Sequence, residues 1–308
     1  MANNVIYDLS STGDVAPMIR GIRVTGGTNV NILYNTVYMK GGNTNTNFGS
    51  TALYLNSGII NLDIRNNIFI DLSTPGSAST GRATAIWKYY SGFANFAPTC
   101  DRNIYYAGTP GPKNLICYDN GTSYETLGDY KAATGSFDLG SFTENVPFIS
   151  TVEPYNLHIP IGASTIAESN ALPIPGWDTD FDGENRDDSF PDVGADEGAF
   201  TVPAVYPDPA NLISPADLAI VVSPSSTLNW SAATTGGSPT GYLLYFGTNN
   251  PPSNIADGID LGNVTSYDPD PDLAFLTDYY WRIVPYNATG SAPQPSAPSG
   301  DSRLMPHP

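Results

Sequence analysis

Residues 31–42, NILYNTVYMKGG, are echoed at 62–73 by LDIRNNIFIDLS and at 100–109 by CDRNIYYAGT. Working outward, one line of similarity runs Asn4-Val5-Ile6, Thr36-Val37-Tyr38, Asn67-Ile68-Phe69 and Asn103-Ile104-Tyr105, at spacings of 32, 31 and 36 residues. A second, offset line runs Ile22, Leu53, Ile86 and Ile116, at spacings of 31, 33 and 30. Two lines that share a period imply a repeat, and a repeat of this size made of short strands is one turn of a solenoid. No coil buries its apolar face alone, so coils stack and like residues lie above like. The expected interior stacks are Val5, Val37, Ile68 and Ile104, and Ile22, Leu53, Ile86 and Ile116. Asn4, Thr36, Asn67 and Asn103 are expected to form a polar ladder at a turn. Leu33, Ile64 and Cys100 share one offset ahead of it. Cys100 reads as a small core residue; a Cys100–Cys117 disulfide is the alternative, although the two lie on different strand lines.

Composition agrees with short strands and many turns. Gly (30) and Pro (27) are abundant and charged residues make up only 14%. Both residue types disfavour helix interiors, Tyr and Thr suit pleated surfaces, and no sustained 3.6-residue apolar period is present. The length of 308 residues favours two domains. The net charge of −18 repels phosphate backbones and anionic lipid, which disfavours nucleic acid and membrane surfaces as partners. It favours hard cations such as Ca²⁺. No apolar run approaches the ~18 residues of a membrane span. MANNVIYD lacks the features of a signal peptide and reads as a strand in progress. The chain is therefore expected to be a piece of a larger secreted or cell-surface protein, with an open N-terminal solenoid edge that is a template for association.

The coil segments quoted above resemble bacterial right-handed parallel β-helix repeat proteins. NLHIP (156–160), AESNALPIPGWDTDFDGENR (167–186) and PDVGADEGAF (191–200) resemble a closing segment of large surface proteins from Bacteroidetes-like bacteria. That resemblance covers about two-thirds of the chain and implies right-handed crossover and a terminator role for the acidic stretch, while the repeat itself leads to an expectation of four to five coils. TVPAVYPDPANLISPAD (201–217) reads as an extended proline-rich linker. Beyond it, Leu228 and Trp230, then Tyr242, Leu244 and Phe246, then Tyr279, Trp281 and Ile283 alternate as inward residues of a sandwich. GYLLYFGTNNPPSN (241–254), LGNVTSYDPDPDL (261–273) and TDYYWRIVPYNATG (277–290) resemble fibronectin type III modules, and Leu273 with Tyr279 resembles a tyrosine-corner entry. The expected fold is all-β: a right-handed parallel β-helix at 1–200, a linker at 201–212 and a fibronectin type III-like β-sandwich at 213–308.

Three chemistries suggest themselves. Exposed aromatic lines stack on sugar rings. Tyr38, Phe69 and Tyr105 share one register and are expected to face outward, while Tyr54, Trp87 and Tyr89 cluster on another, so these six are candidate glycan contacts. Asp178, Asp180 and Asp182 before Gly183 match the opening of a calcium loop, but Arg186 and Ser189 stand where such a loop needs its later ligands. The alternative is an acidic turn neutralised by Arg186, with Asp192, Asp196 and Glu197 capping the last coil. A lyase or glycosidase needs a base with a cation, or two carboxylates. Arg23, Lys40, Arg65, Lys88 and Arg102 are scattered, and Asp63 and Asp101 lie beside arginines. The expected function is a carbohydrate-interacting or structural module of a secreted bacterial protein; a polysaccharide lyase or hydrolase, or an adhesin or spacer, are the alternatives.

Overall fold

One residue in the left-handed backbone region recurs at a corresponding turn of each coil. Asn3, Tyr34, Asn66 and Arg102 have φ of 53°, 51°, 59° and 60°, and each is followed by an asparagine. These four, Asn4, Asn35, Asn67 and Asn103, form the ladder in the computed structural model of the chain. The Nδ2 of Asn4 donates to Asn35 Oδ1 (2.8 Å), that of Asn35 to Asn67 Oδ1 (2.9 Å), and that of Asn67 to Asn103 Oδ1 (2.9 Å). Asn35, not Thr36, is the second rung.

The structure describes residues 1–10, 18–78, 80–292 and 302–306, in two units, Met1–Pro203 and Ala204–Pro308. The first unit contains β1 (Val5–Ile6), β2 (Met18–Val24), β3 (Gly27–Leu33), β4 (Thr36–Met39), β5 (Gly49–Leu55), β6 (Ile59–Arg65), β7 (Ile68–Asp71), β8 (Ala83–Lys88), β9 (Ile104–Tyr106), β10 (Asn114–Asp119), β11 (Thr122–Tyr124) and a helix, α1 (Leu127–Thr134). Parallel sheets run β1-β4-β7-β9, β2-β5-β8-β10 and β3-β6, with β11 added antiparallel to β10. Isolated parallel bridges, Leu62 to Phe96 and Arg65 to Asp101, carry the third sheet one coil further. The result is a parallel β-solenoid of about three turns within residues 5–119, fewer than the four to five expected.

The register corrects the expected stacks by one residue in places. Val5 pairs with Thr36, which pairs with Ile68 and then Ile104; Val37 pairs with Phe69 and then Tyr105. In the second sheet Ile22, Leu53 and Ile86 continue to Cys117, not Ile116. Ile64 is preceded by Ile32, not Leu33. Both cysteines are free and buried; Cys100 Sγ donates to Leu62 O (3.0 Å) and accepts from Ile64 N (3.3 Å). Gly21, Ala52 and Ala85 lie side by side on the second sheet, where it faces Val37 of the first. A Cβ on Gly21 would lie 2.4 Å from Val37 Cγ1 and 2.6 Å from Ala52 O.

The ends and flanks of the solenoid are closed by different segments. Helix α1 starts at an N-cap, Thr126, whose side chain accepts from Asp129 N, and it sends Tyr130 into the interior core. Tyr130 and Tyr105 donate to Asp138 Oδ2 (2.7 and 2.9 Å), while Asn103 Nδ2 donates to Asp138 Oδ1 (3.0 Å). A buried carboxylate thus terminates the ladder and ties the helix to the last coil. Burial pushes its carboxyl above the usual range. Residues 142–200 follow a different course: they cover the outer face of the first sheet. Val146, Leu157, Ile159, Ala167, Ala171, Ile174, Val193 and Phe200 share a core with Tyr38, Ile68, Ile70 and Ile104.

The second unit holds β12 (Asn211–Ser214), β13 (Ala219–Val222), β14 (Leu228–Ser231), β15 (Gly241–Gly247), β16 (Ala256–Asp260), β17 (Ser266–Tyr267), β18 (Tyr279–Asn287), β19 (Gly290–Ser291) and β20 (Ser302–Pro306). An antiparallel sheet β12-β14-β17 and a larger sheet β13-β20-β18-β15-β16, with β19 on β18, contribute to one core. Only the β13–β20 pairing is parallel among the described pairs of this unit. Leu228, Trp230, Tyr242, Leu244, Phe246, Tyr279, Trp281 and Ile283 are all buried in it, as their alternation implied. The expected linker partly belongs to this unit: Gly237 N donates to Tyr206 O, Pro207 bridges to Gly236, and β12 starts at Asn211.

Candidate functional site

The closing segment is held by Arg186. Its guanidinium lies 4.0 Å from the Tyr34 ring centroid. It donates to Glu197 Oε2 (3.1 Å), Asn3 Oδ1 (3.2 Å), and the carbonyls of Asp192 (3.4 Å), Gly194 (3.0 Å) and Ala195 (3.2 Å). The carboxylates around it accept from backbone N–H groups. Asp192 takes Ser169 N and Gly198 N, Glu197 takes Asp187 N and Asp192 N, and Asp196 takes Ile159 N. They cap the closing segment itself, not the last coil. Gly194, at φ +106°, seats this loop on the first sheet, where a Cβ would lie 2.5 Å from Ile68 Cδ1. Burial raises Asp192 to about 7, and Asp196 and Glu197 also rise through burial.

The expected metal ligands divide. Oxygens of Asp180, Asp182 and Glu184 lie within 4.8 Å of one another. Asp178 is outside that group; its carbonyl accepts from Arg186 N (2.9 Å) in a small hairpin. Asp180 Oδ1 accepts from the backbone N of Asp182, Gly183 and Glu184 (3.2, 3.0 and 2.9 Å), and Oδ2 from Glu197 N (3.1 Å). Asp180 is therefore buried as the organiser of the turn, while Asp182 and Glu184 are exposed. Hydrogen bonding to Asp180, then partial desolvation and the charge of Asp180, raise the Asp182 carboxyl. His158 Nδ1 meets Asp196 Oδ1 at 2.9 Å beside this turn.

The six aromatic candidates do not form one platform. Phe69 and Tyr105 lie fully buried in the solenoid interior, because their register is that of Val37. Tyr38 is buried on the other face of the first sheet, under the closing segment. All three therefore face cores, not solvent. Tyr54 and Trp87 are adjacent in the second sheet, and their line is Arg23, Tyr54, Trp87 and Tyr118 on four neighbouring strands. The Trp87 and Tyr118 ring centroids are 4.6 Å apart. Arg20 lies 4.3 Å from the Tyr54 centroid, and Arg82 lies 4.3 Å from Tyr118 and 5.8 Å from Trp87. Tyr89 is 60% exposed just past the end of β8. Tyr118 escapes the sequence reading because the fourth coil was aligned on Ile116. With Cys117 in that place, Tyr118 falls 31 residues after Trp87.

Of the groups considered for acid–base chemistry, Asp63, Arg65, Asp101 and Lys88 have structural partners. Arg65 and Asp63 form a bidentate pair (2.7 Å at the closest), and Asp101 accepts from Gly140 N (2.7 Å). Lys88 is fully buried, in register with Asp119, its Nζ 3.3 Å from the Asp119 carboxylate and 3.6 Å from the Phe93 ring centroid. Burial lowers its affinity for a proton. A cleft of about 530 Å³ opens nearby, lined by Gly92, Phe93, Asp119, Tyr124, Thr134 and Phe137, but the ammonium is closed off behind Phe93 and Gly92. Comparison with protein-family profiles and with curated proteins finds no match. No described helix is long and apolar enough to cross a membrane.

Proposed function

We propose that the first unit is a carbohydrate-interacting module of a secreted or cell-surface bacterial protein, holding an extended glycan across its second sheet. The observation that carries this reading is the in-register line Arg23–Tyr54–Trp87–Tyr118. Trp87 and Tyr118 are half-buried rings on neighbouring parallel strands beside the buried Tyr54, and their faces and edges, aligned along one direction, suit a linear chain of sugar rings. The right hand of the coil and the likeness to Bacteroidetes-type surface proteins are part of the same proposal.

The second unit is read as a fibronectin type III-like spacer. The β12-β14-β17 and β20-β18-β15-β16 strand orders support that reading, as does the Tyr279 hydroxyl, which accepts from Ala274 N (3.1 Å) in the manner of a tyrosine corner. Calcium at Asp180, Asp182 and Glu184 would stabilise the closing turn. The test of function is affinity electrophoresis against a panel of soluble glycans. The expected result is retardation by at least one glycan, weakened at least tenfold by Trp87→Ala. No retardation by any glycan, or retardation untouched by Trp87→Ala, overturns the reading.

A further inference from the structure

The chain carries 12 Lys and Arg against 30 Asp and Glu, so cations are scarce, and several are committed to carboxylates. Among the arginines, Arg65 is paired with Asp63, Arg186 with Glu197 and Arg303 with Asp278. Arg20, Arg23 and Arg82 are different. They gather on the line of Tyr54, Trp87 and Tyr118, and among the described residues no carboxylate pairs with any of them. Among the described residues the one hydrogen bond of the three is from Arg82 Nη1 to Thr80 O (3.3 Å). Among the described residues these three positive charges, on a chain of net charge −18, have no carboxylate partner and form an island in the field of the protein.

The rings explain why the guanidinium groups stay there. Arg20 lies over Tyr54 at 4.3 Å, with Arg23 at 5.9 Å from the same ring, and Arg82 lies over Tyr118 at 4.3 Å. A planar guanidinium stacked on a ring keeps its charge and its N–H edge while the ring face fixes its position. The same stacking removes those faces from use by an uncharged sugar. Tyr54 is only 7% exposed, so its role is to hold Arg20. Trp87 is the ring of the line least covered by a guanidinium, the nearest being Arg82 at 5.8 Å from its centroid, and it is half-buried. Neighbouring strands lie ~4.8 Å apart, so Arg20 on β2 and Arg82 beside β8 arise two strands, about 10 Å, apart across the sheet. That arrangement suits repeated anionic groups on a linear polymer.

We infer that the glycan bound by the second sheet is an acidic polysaccharide, whose carboxylate or sulfate groups are received by Arg20, Arg23 and Arg82 while one of its rings stacks on Trp87. This rests on the carbohydrate reading above and names the substrate class. The negative remainder of the surface repels polyanions, so binding should be confined to this island and should weaken as salt screens it.

The test uses the full chain with polygalacturonate and alginate as uronate probes, dextran sulfate as the sulfate probe, uncharged dextran and xylan as neutral probes, and polyglutamate as a polyanion without sugar rings. At least one acidic glycan should bind tenfold or more tighter than either neutral one. The triple variant Arg20→Gln, Arg23→Gln, Arg82→Gln should lose at least tenfold, and Arg82→Lys with the other two arginines kept should retain most of the affinity. An unchanged circular dichroism spectrum shows that the variants are folded; if the triple variant unfolds, the single variant Arg23→Gln, whose side chain is exposed, is compared instead and should lose affinity for acidic glycans alone. Neutral glycans bound as tightly, with the arginine variants unaffected, overturn the charge inference and leave the carbohydrate reading standing. Polyglutamate bound as tightly as the uronates overturns the sugar-ring component. Absence of all binding overturns both.

Discussion

Replacing Asn67 with alanine removes the middle rung of the ladder, and the structure gives the size of the loss. The Asn67 side chain donates to Ile32 O (2.8 Å), Arg65 O (2.8 Å) and Asn103 Oδ1 (2.9 Å), and it accepts from Asn35 N and Asn35 Nδ2 (both 2.9 Å). Some partners keep a second bond: Asn35 Nδ2 still donates to Leu33 O, and Asn103 Oδ1 still accepts from Asn67 N. The Asn35 N–H and the Ile32 carbonyl lose the partner supplied by Asn67. A buried donor or acceptor left unpaired costs ~1–3 kcal/mol, so the expected destabilisation is roughly 3–5 kcal/mol. For a unit of this size that is a fall of roughly 6–20 °C in Tm, from ~2–4 °C per kcal/mol. Asn4→Ala is the control. Asn4 is half-buried at the end of the ladder, and its loss leaves Asn35 Oδ1 bonded to Asn4 N (3.3 Å); it should cost about 1 kcal/mol or less. Scanning calorimetry reads both variants, with the second unit, which has its own core, as internal reference. Equal costs for the two variants, or a cost below about 1 kcal/mol for Asn67→Ala, would refute the claim that the ladder holds the coils in register.

Three further predictions follow from the same geometry. Asp71 is fully buried, accepts from the Ser50 hydroxyl and from Ser73 and Thr84 N–H groups, and is raised by burial from 3.8 to about 6. Above pH 6 the carboxyl is ionised folded and unfolded, and the folded chain carries a penalty of roughly 3 kcal/mol; below it the folded state takes up the proton first, and the penalty is gone by about pH 4. The first-unit Tm should therefore rise from pH 8 to pH 5, and Asp71→Asn should show a shallower rise; identical slopes would show that Asp71 is not the group responsible. Calcium should raise that Tm beyond what sodium does at matched ionic strength, by selective binding to the folded state, and Asp182→Ala with Glu184→Ala should erase the difference. Equal shifts with the two salts would leave the acidic turn a purely structural closure. A chain beginning at Ala204 should fold cooperatively on its own core; an unfolded spectrum or aggregation would contradict the boundary after Pro203.

The period of the solenoid was legible because each coil repeats a turn followed by asparagine, and the alternation of Trp230, Leu244 and Trp281 in the later antiparallel sheets was legible because one face of each strand meets a core. The register of the first sheet was not. All four residues of β4 and all four of β7 are buried, since the interior fills one face and the closing segment covers the other. A strand buried on both sides has no apolar–polar alternation to fix its phase. Aligning Val37 with Ile68 by chemical likeness is therefore as good as aligning it with Phe69, and that slip turns Phe69 and Tyr105 outward, while Tyr38 does face outward but is covered by the closing segment. The asparagines were the better anchor, because Asn35 and Asn67 must meet head to tail whereas aliphatic side chains substitute for one another freely. The acidic segment failed to read out for a related reason. Carboxylates in sequence look available to a cation, but which of them already accept backbone N–H groups depends on how the loop closes. Asp180, Asp192 and Glu197 are occupied in that way, and Arg186 binds the loop through carbonyls as much as through charge. The three arginines of the second sheet show the converse: their lack of carboxylate partners among the described residues is a property of the folded surface, which no spacing in the sequence displays.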